Sequence, residues 1–68
     1  MIDIEQAEFL KGQQVDYLWQ FLPWEEPSHE DAIILGRTNK RIRILHLNAD
    51  DSGDKVKLVS PYSLYEVK

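Results

Sequence analysis

The feature that most limits what this chain can fold into is its small size combined with the absence of cysteine. Its 68 residues suffice for one domain, residues 1–68. A domain of this size buries only about 60% of the surface that its unfolded chain exposes. Disulfides and thiolate metal sites are excluded because cysteine is absent. The fold must therefore depend on close packing of its own apolar residues, or on a partner.

The two clearest structural segments are 32–36 (AIILG) and 41–47 (RIRILHL), which flank the tripeptide Thr38-Asn39-Lys40. Both segments are rich in Ile and Leu, which favour strands, and asparagine tolerates the positive φ angle of a tight turn. The sequence therefore predicts a hairpin. The period of two puts one set of side chains on one face of the second strand (Ile42, Ile44 and His46) and another set on the opposite face (Arg41, Arg43, Leu45 and Leu47).

Three further segments read as strands, and one of them is ambiguous. Residues 55–59 (KVKLV) alternate between two faces, and residues 64–67 form a short closing strand after a turn at Pro61. Residues 13–22 (QQVDYLWQFL) fit either period. A strand places Val15, Tyr17, Trp19 and Phe21 together, whereas a helix groups Val15, Leu18, Trp19 and Leu22. The aromatic and β-branched residues, with Gly12 before and Pro23 after, favour the strand.

The N-terminal segment 1–11 precedes these strands. Its residue pattern predicts a short helix over residues 3–11. Asp3 is a suitable N-cap, Gln6 stands three residues later, and Gly12 ends the segment. A frayed strand is the alternative, because Ile2 and Ile4 alternate with acidic residues. Two further segments read as loops, 23–31 (PWEEPSHED) and 48–54 (NADDSGD).

Five short strands spaced roughly ten residues apart predict an all-β fold, a five-stranded small barrel over residues 12–67. The α+β alternative, two helices on a three-stranded antiparallel sheet, applies if residues 13–22 are helical. The layout resembles that of the SH3-like small barrels, including the Tudor and KOW types. The resemblance is carried by 11–17 (KGQQVDY), a long loop at 22–31, the hairpin 32–47 and the turn in 59–64 (VSPYSL). It implies a binding module, and a fold resemblance alone assigns no ligand.

The charge of the chain is unevenly distributed and favours a protein partner over nucleic acid. The net charge is −4. Residues 1–31 carry eight acids and one base, whereas residues 32–68 carry four acids and seven bases. An acidic protein gains little from counterion release on nucleic acid. No apolar run is long enough to span a membrane, and no secretion signal is evident, so we expect a cytoplasmic protein.

The residue patterns for catalysis and metal binding are weak. His29 and His46 are widely separated with no pairing motif, and the loop at 48–54 lacks the carboxylate that would complete a calcium site. The four serines lie in turn contexts without a nucleophile motif. We therefore expect a protein that is not an enzyme, has no cofactor and holds no metal. Lone histidines in such positions are usually surface or boundary residues.

Two surfaces are candidates for binding. The first is an aromatic and acidic set that would receive a basic or extended peptide: Trp24, Glu25, Glu26 and Tyr62. The alternative for Trp24 is a core role in which its ring plugs the barrel end, and Trp19 is expected in the core. The second is a basic patch for phosphate or an acidic protein: Arg37, Lys40, Arg41 and Arg43. Its alternative is a solvated face paired with the acidic N-terminal half, and self-association through an edge strand is a third hypothesis.

Overall fold

The computed structural model describes residues 1–20, 22–51 and 53–67, which form one five-stranded antiparallel sheet and a short helix. The helix α1 spans Ile4–Phe9 and precedes β1 (Gln14–Trp19), β2 (Ser28–Arg37), β3 (Ile42–Asp50) and β4 (Gly53–Val59). A 3₁₀ turn, Pro61–Ser63, leads into β5 (Leu64–Glu66). The strand order is β4-β3-β2-β1-β5. The prediction of a mostly β domain with five strands and a short N-terminal helix is confirmed, and residues 14–19 are a strand.

Alternation along the strands separates an inner face, which forms the core, from an outer face. Fully buried residues from β2 and β3 occupy the centre of the core (Ala32, Ile34, Ile42 and Ile44). They are joined by residues from the other strands and the N-terminus (Ile2, Ala7, Val15, Tyr17, Val59 and Leu64). The β2–β3 hairpin places Ile34 opposite Ile44, so both side chains enter the core together. Phe21, which the sequence placed on the same face as Tyr17, lies outside the described residues.

The expected closed barrel is corrected to an open, curled sheet. In the described part of the chain, β4 and β5 are the two edge strands and are not paired with each other. Strand β5 is only three residues long, and its three residues pair with β1. The opening is flanked by the N-terminal segment, where the Ile2 amide donates to the Pro61 carbonyl at 3.4 Å. Ile2 is fully buried, so this segment is part of the core and not a frayed tail.

Helix α1 begins after Asp3, as the sequence predicts, but it ends at Phe9 and not at residue 11. The Asp3 amide donates to Oε1 of Gln6 at 3.0 Å, which is the reciprocal bond of a capping box. Gly12 has a φ of +84° and lets the chain turn into β1. Its amide donates to the Ile34 carbonyl at 2.7 Å. Ala7 faces the core, whereas Phe9 points away from it and is 86% exposed.

The interpretation of residues 28–31 as loop is wrong, because β2 begins at Ser28. These polar residues pair with β1, and Asp16 stands opposite Asp31. Two like charges at this position would repel each other. Nδ1 of His29 lies 2.5 Å from Oδ2 of Asp16, and this contact offsets the repulsion. The predicted loop at 48–54 also contains more strand than expected, since β3 extends to Asp50 and β4 starts at Gly53.

The hairpin turn at residues 38–41 is present but depends on threonine and not on asparagine. Oγ1 of Thr38 accepts from the Arg41 amide at 3.0 Å, and the Thr38 amide donates to the Arg41 carbonyl at 2.8 Å. Among the described non-glycine residues, Asn48 has a positive φ (55°) and Asn39 does not. The predicted left-handed conformation at Asn39 is therefore absent. The threonine hydroxyl supplies the hydrogen bonds that fix this turn.

The role of Ile2 in the core can be tested with its exposed neighbour as the control. We expect Ile2→Ala to lower the free energy of unfolding by about 2–5 kcal/mol, because it leaves a cavity beside the 3₁₀ turn. Met1 is 52% exposed, so Met1→Ala should change it by less than about 0.5 kcal/mol. Urea denaturation followed by circular dichroism measures both. Equal, small effects would show that the N-terminal segment does not contribute to the core.

Candidate functional site

The connection between β1 and β2 holds Trp24 in a turn that is fixed by hydrogen bonds. Nε2 of Gln20 donates to the carbonyl oxygens of Pro23 (3.1 Å) and Glu25 (2.5 Å). The Glu25 amide donates to the Leu22 carbonyl at 3.1 Å. Trp24 is 80% exposed, and its indole makes no hydrogen bond or ring contact with a described residue. The alternative in which Trp24 plugs the barrel end is therefore wrong.

The other aromatic and acidic candidates are also on the surface. Glu25 and Glu26 are exposed beside Trp24. Tyr62 is 73% exposed in the 3₁₀ turn, where its amide donates to Oγ of Ser60 at 3.3 Å. This turn leads into β5 and therefore adjoins the C-terminal half of β1, from which the Trp24 turn also departs. No ring contact joins the Trp24 and Tyr62 side chains. We define Trp24, Glu25 and Glu26 as the tryptophan turn.

The structure divides the four residues of the predicted basic patch. Arg37 is engaged by the helix, since its Nε and one of its terminal nitrogens lie 2.7 and 2.6 Å from Oε1 of Glu8. This pair agrees with the alternative in which the patch is paired with the acidic N-terminal half. Lys40, Arg41 and Arg43 are exposed, and no described carboxylate forms an ion pair with them. Pairing with the acidic N-terminal half is thus present for Arg37, one of the four residues of the predicted patch.

A fourth cation lies beside this group, although sequence reasoning did not find it. Cε of Lys11 lies 3.8 Å from the position that a Cβ atom on Gly36 would occupy. Gly36 stands opposite Arg43 in the β2–β3 pairing. The two cations therefore flank the same backbone position, which has no side chain of its own. We call Lys11, Lys40, Arg41 and Arg43 the basic border.

The tryptophan turn and the hairpin turn with Lys40 and Arg41 lie at opposite ends of β2. One connection precedes Ser28 and the other follows Arg37. At about 3.3 Å per residue, ten residues span roughly 30 Å, which matches the longest dimension of the domain, 30 Å. The four acids of residues 22–31, a segment without lysine or arginine, are thus separated in space from the cations of the hairpin turn.

A cluster of side chains links β1, β3 and β4 across the inner face. The ring of His46 contacts Tyr17 edge-on at 5.1 Å between centroids and lies 6.0 Å from the Trp19 ring. Nζ of Lys57 lies 3.8 Å from the Trp19 ring centroid, a cation–π contact. Since two strands separate β1 from β4 in the sheet, only a strongly curled sheet allows Lys57 to reach Trp19. Trp19 is half-buried against the core, as expected.

His46 is a core residue, so the interpretation of both histidines as surface or boundary residues is wrong for it. It is 2% exposed, and neither ring nitrogen has a hydrogen-bond partner among the described residues. Burial lowers the pKa of His46, and the ammonium of Lys57 lowers it further. The carboxylates of Glu30 and Asp54 oppose this shift. His46 is therefore neutral near pH 7. Burial also raises the pKa of the Tyr17 phenol.

The outer face of the sheet carries apolar residues that sequence reasoning did not single out. Leu58 and Val56 are 45% and 61% exposed on β4, and Leu35 is 36% exposed on β2. Leu45 stands between Ile33 and Val56 in the strand pairings. We call Ile33, Leu35, Leu45, Val56 and Leu58 the outer apolar patch. The alternation in residues 55–59 revealed that Val56 and Leu58 share a face, but it could not show that this face is the outer one.

The described residues contain no pocket and no group of three His, Asp or Glu side chains that could hold a metal ion. Among them, no helix is long and apolar enough to cross a membrane. Comparison of the chain with models of protein families, with curated proteins and with solved structures gave no match in any of the three. A function for this protein must therefore be argued from its surfaces.

Stability should fall on mild acidification because of His46. In the unfolded chain a histidine takes up a proton near pH 6.5, whereas the native pKa is lower. The unfolded state then binds more protons than the native state as the pH drops below about 7, and the native state loses stability. We expect urea midpoints to fall between about pH 7 and 5.5, and His46→Leu to flatten this slope.

The matched control for this prediction is His29→Gln, which removes the other histidine and keeps the buried one. The slope should persist in that variant. A slope that is as steep in His46→Leu as in wild type would contradict the prediction.

The exposure of Trp24 gives a second test, in which Trp19 is the reference. We expect Trp24→Ala to change the free energy of unfolding by less than about 0.5 kcal/mol and to remove the emission that acrylamide quenches most easily. Trp19→Ala should lower stability by about 2 kcal/mol or more, because that ring packs on the core and on Lys57. Similar losses for the two variants would place Trp24 in the core.

Proposed function

We propose that this protein is a non-catalytic binding module that recognises a basic or extended segment of another protein through the tryptophan turn. The observation that carries the proposal is the 80% exposure of Trp24 on a turn that Gln20 fixes. Large exposed aromatics are the residues that most often dominate the energy of protein interfaces. A turn that is already ordered loses less conformational entropy when it binds.

The charge around Trp24 defines the kind of partner. Glu25 and Glu26 are exposed next to the indole, and Glu30 follows at the start of β2. Arginine or lysine side chains can stack on an indole face and reach these carboxylates at the same time. Tyr62 is a candidate for the rim of this surface, because its 3₁₀ turn adjoins the same half of β1.

The SH3-like resemblance belongs to this proposal as well. The strand order β4-β3-β2-β1-β5, with a 3₁₀ turn before the last strand, supports it. Proteins of this architecture expose connections that are positioned by a rigid sheet, which is the arrangement that a binding module needs. The fold by itself names no ligand.

Nucleic-acid binding through the hairpin turn is the weaker alternative. Three of its four predicted residues are exposed (Lys40, Arg41 and Arg43), which favours contact with an anion. Arg37 is already paired with Glu8, and the net charge of the chain is −4. Few phosphate contacts give weak binding at physiological salt.

The proposed function can be tested by affinity capture with the full chain and two variants. Phe9 is 86% exposed and lies on α1, away from the tryptophan turn, so Phe9→Ala is a matched control for Trp24→Ala. We expect a partner that wild type and Phe9→Ala retain and that Trp24→Ala retains at least about tenfold less. Titration calorimetry of the purified partner against the three proteins then gives the affinities.

Two outcomes would contradict the proposal. A partner that binds Trp24→Ala as tightly as wild type would remove the tryptophan turn from the site. A captured partner whose binding depends on RNA or DNA, and which is lost after nuclease treatment, would favour the alternative function.

A further inference from the structure

The outer face of the sheet carries a row of apolar side chains that runs across three strands. In the strand pairings, Leu45 stands between Ile33 and Val56, so the three side chains lie next to one another. The outer apolar patch continues from this row toward the hairpin turn through Leu35 and Leu58. An apolar surface that spans three strands gains free energy when another apolar surface covers it.

Cations border this patch on the side of the hairpin turn. Arg43 lies two residues before Leu45 on β3, and alternation along the strand places both on the same face. Lys11 lies over Gly36, the residue that stands opposite Arg43. No described carboxylate forms an ion pair with Arg43 or Lys11. The positive charge on this side of the patch is therefore not neutralised within the described part of the chain.

Acidic side chains border the patch on the opposite side. Asp31 lies two residues before Ile33 on β2 and shares its face, and Asp16 of β1 stands opposite Asp31. Asp16 is in contact with His29, whereas no described cation forms an ion pair with Asp31. The face thus carries, in order along the strands, unpaired cations, apolar side chains and an unpaired carboxylate, with roughly 7 Å between successive rows.

A second copy of this chain is a surface that matches all three rows. If two outer faces stack about a two-fold axis that lies along the apolar row, the strands of the two copies run antiparallel across the interface. The apolar row then covers its counterpart, and the cations of each copy face Asp31 of the other. A two-fold axis along the strands would instead bring Arg43 and Lys11 against their counterparts, and such like charges repel. The charges therefore favour one of the two symmetric arrangements.

Other occupants with a negative charge match only one side of the face. A nucleic acid or an anionic lipid surface would complement Arg43 and Lys11, but it would also meet Asp31 and Asp16 across the patch. A peptide with only acidic residues beside its apolar ones would likewise leave Asp31 unpaired. Stacked copies, in contrast, give every row of the face a complementary row.

We propose that the outer face is a self-docking surface, on which a second copy of this chain stacks in antiparallel orientation with the apolar rows in contact and the cations of each copy facing Asp31 of the other. Facing sheets pack about 10 Å apart, a distance that an arginine and a carboxylate side chain bridge together. The outer face of a curled sheet is convex, so the contact is small and the dimer is weak. The inference does not require the tryptophan turn to bind a partner.

Sedimentation velocity of the full chain, from about 20 µM to about 1 mM, tests the self-association in the range of weak complexes. We expect the sedimentation coefficient of wild type to rise toward that of a dimer, and added salt to reduce this rise because it screens exposed charges. Val56→Ser should weaken dimerisation several-fold, whereas Val67→Ser, at a valine of similar exposure, should leave it unchanged (61% and 57%). Trp24→Ala should dimerise as wild type does, which separates this result from the test of the proposed function.

Reversed charges test the orientation of the two copies. In the antiparallel dimer, Arg43→Glu puts carboxylates against each other, and Asp31→Lys does the same with cations. We expect each variant alone to dimerise at least about tenfold more weakly than wild type. An equimolar mixture should form a heterodimer at least about fivefold more tightly than either variant alone, because the reversed charge of one copy then faces the reversed charge of the other. Formation of this heterodimer also shows that both variants fold.

A spin label locates the second copy directly. The chain contains no cysteine, so Asn39→Cys can carry a nitroxide at a single place on the exposed hairpin turn. In a mixture with ¹⁵N-labelled wild type, we expect the label to broaden amide resonances near Ser28, at the opposite end of β2. An arrangement with the strands of the two copies parallel would instead broaden resonances of the hairpin turn.

Four results would overturn the inference. The first is a chain that remains monomeric at about 1 mM. The second is a mixture of Arg43→Glu and Asp31→Lys that associates as weakly as each variant alone, and the third is broadening at the hairpin turn instead of near Ser28. The fourth is a monomer that binds anionic lipid vesicles or a single-stranded oligonucleotide and loses this binding with Arg43→Glu, because the face would then serve a different partner.

Discussion

The pairing of β2 with β3 is the constraint on which the rest of the structure depends. It places Ile34 opposite Ile44 and sends both into the core, so their strand neighbours Ile33, Arg43 and Leu45 face outward. A slip of one residue would exchange the two faces and bury Arg43. The register that builds the core therefore also places arginine and leucine together on the outer face. The core and the outer apolar patch are consequences of one hydrogen-bonded ladder.

The small size of the domain explains why so much apolar surface remains outside. A single curled sheet of five strands encloses one core, and in the described part of the chain the edges of β4 and β5 are not paired with each other. Ile2 packs beside the 3₁₀ turn, and Lys57 reaches across to Trp19. These contacts replace the ladder that a closed barrel would have. The ring of His46 lies against Tyr17 and Trp19 without a hydrogen-bond partner among the described residues, which makes this end of the core sensitive to protonation.

The sequence correctly predicted those helices and strands that are determined by residues close to one another in the chain. The capping residues Asp3 and Gln6 indicated α1, and the alternation in 41–47 placed Ile42, Ile44 and His46 on one face of β3, although it did not predict that His46 is buried. The predictions from sequence were wrong where contacts between distant parts of the chain determine the structure. Residues 28–31 look like a loop because they are polar, yet their pairing with β1 makes them a strand. No local pattern could show that Lys57 and not Val56 faces the core side, because the long lysine stem packs on an indole from a distant strand. The exposure of Trp24 likewise depends on Gln20, a neutral residue with no distinctive signal of its own.

The position of β2 relates the two candidate surfaces to each other. Its start carries the acidic connection with Trp24, and its end carries the turn with Lys40 and Arg41, so the ten residues of β2 hold opposite charges up to about 30 Å apart. At that distance, which exceeds the screening length of roughly 8 Å at physiological salt, neither charge group neutralises the other. Each end can therefore attract a partner of opposite charge independently. The overall charge of −4 therefore says little about either surface. A segment that approaches one end of β2 meets the electrostatic field of the charges at that end.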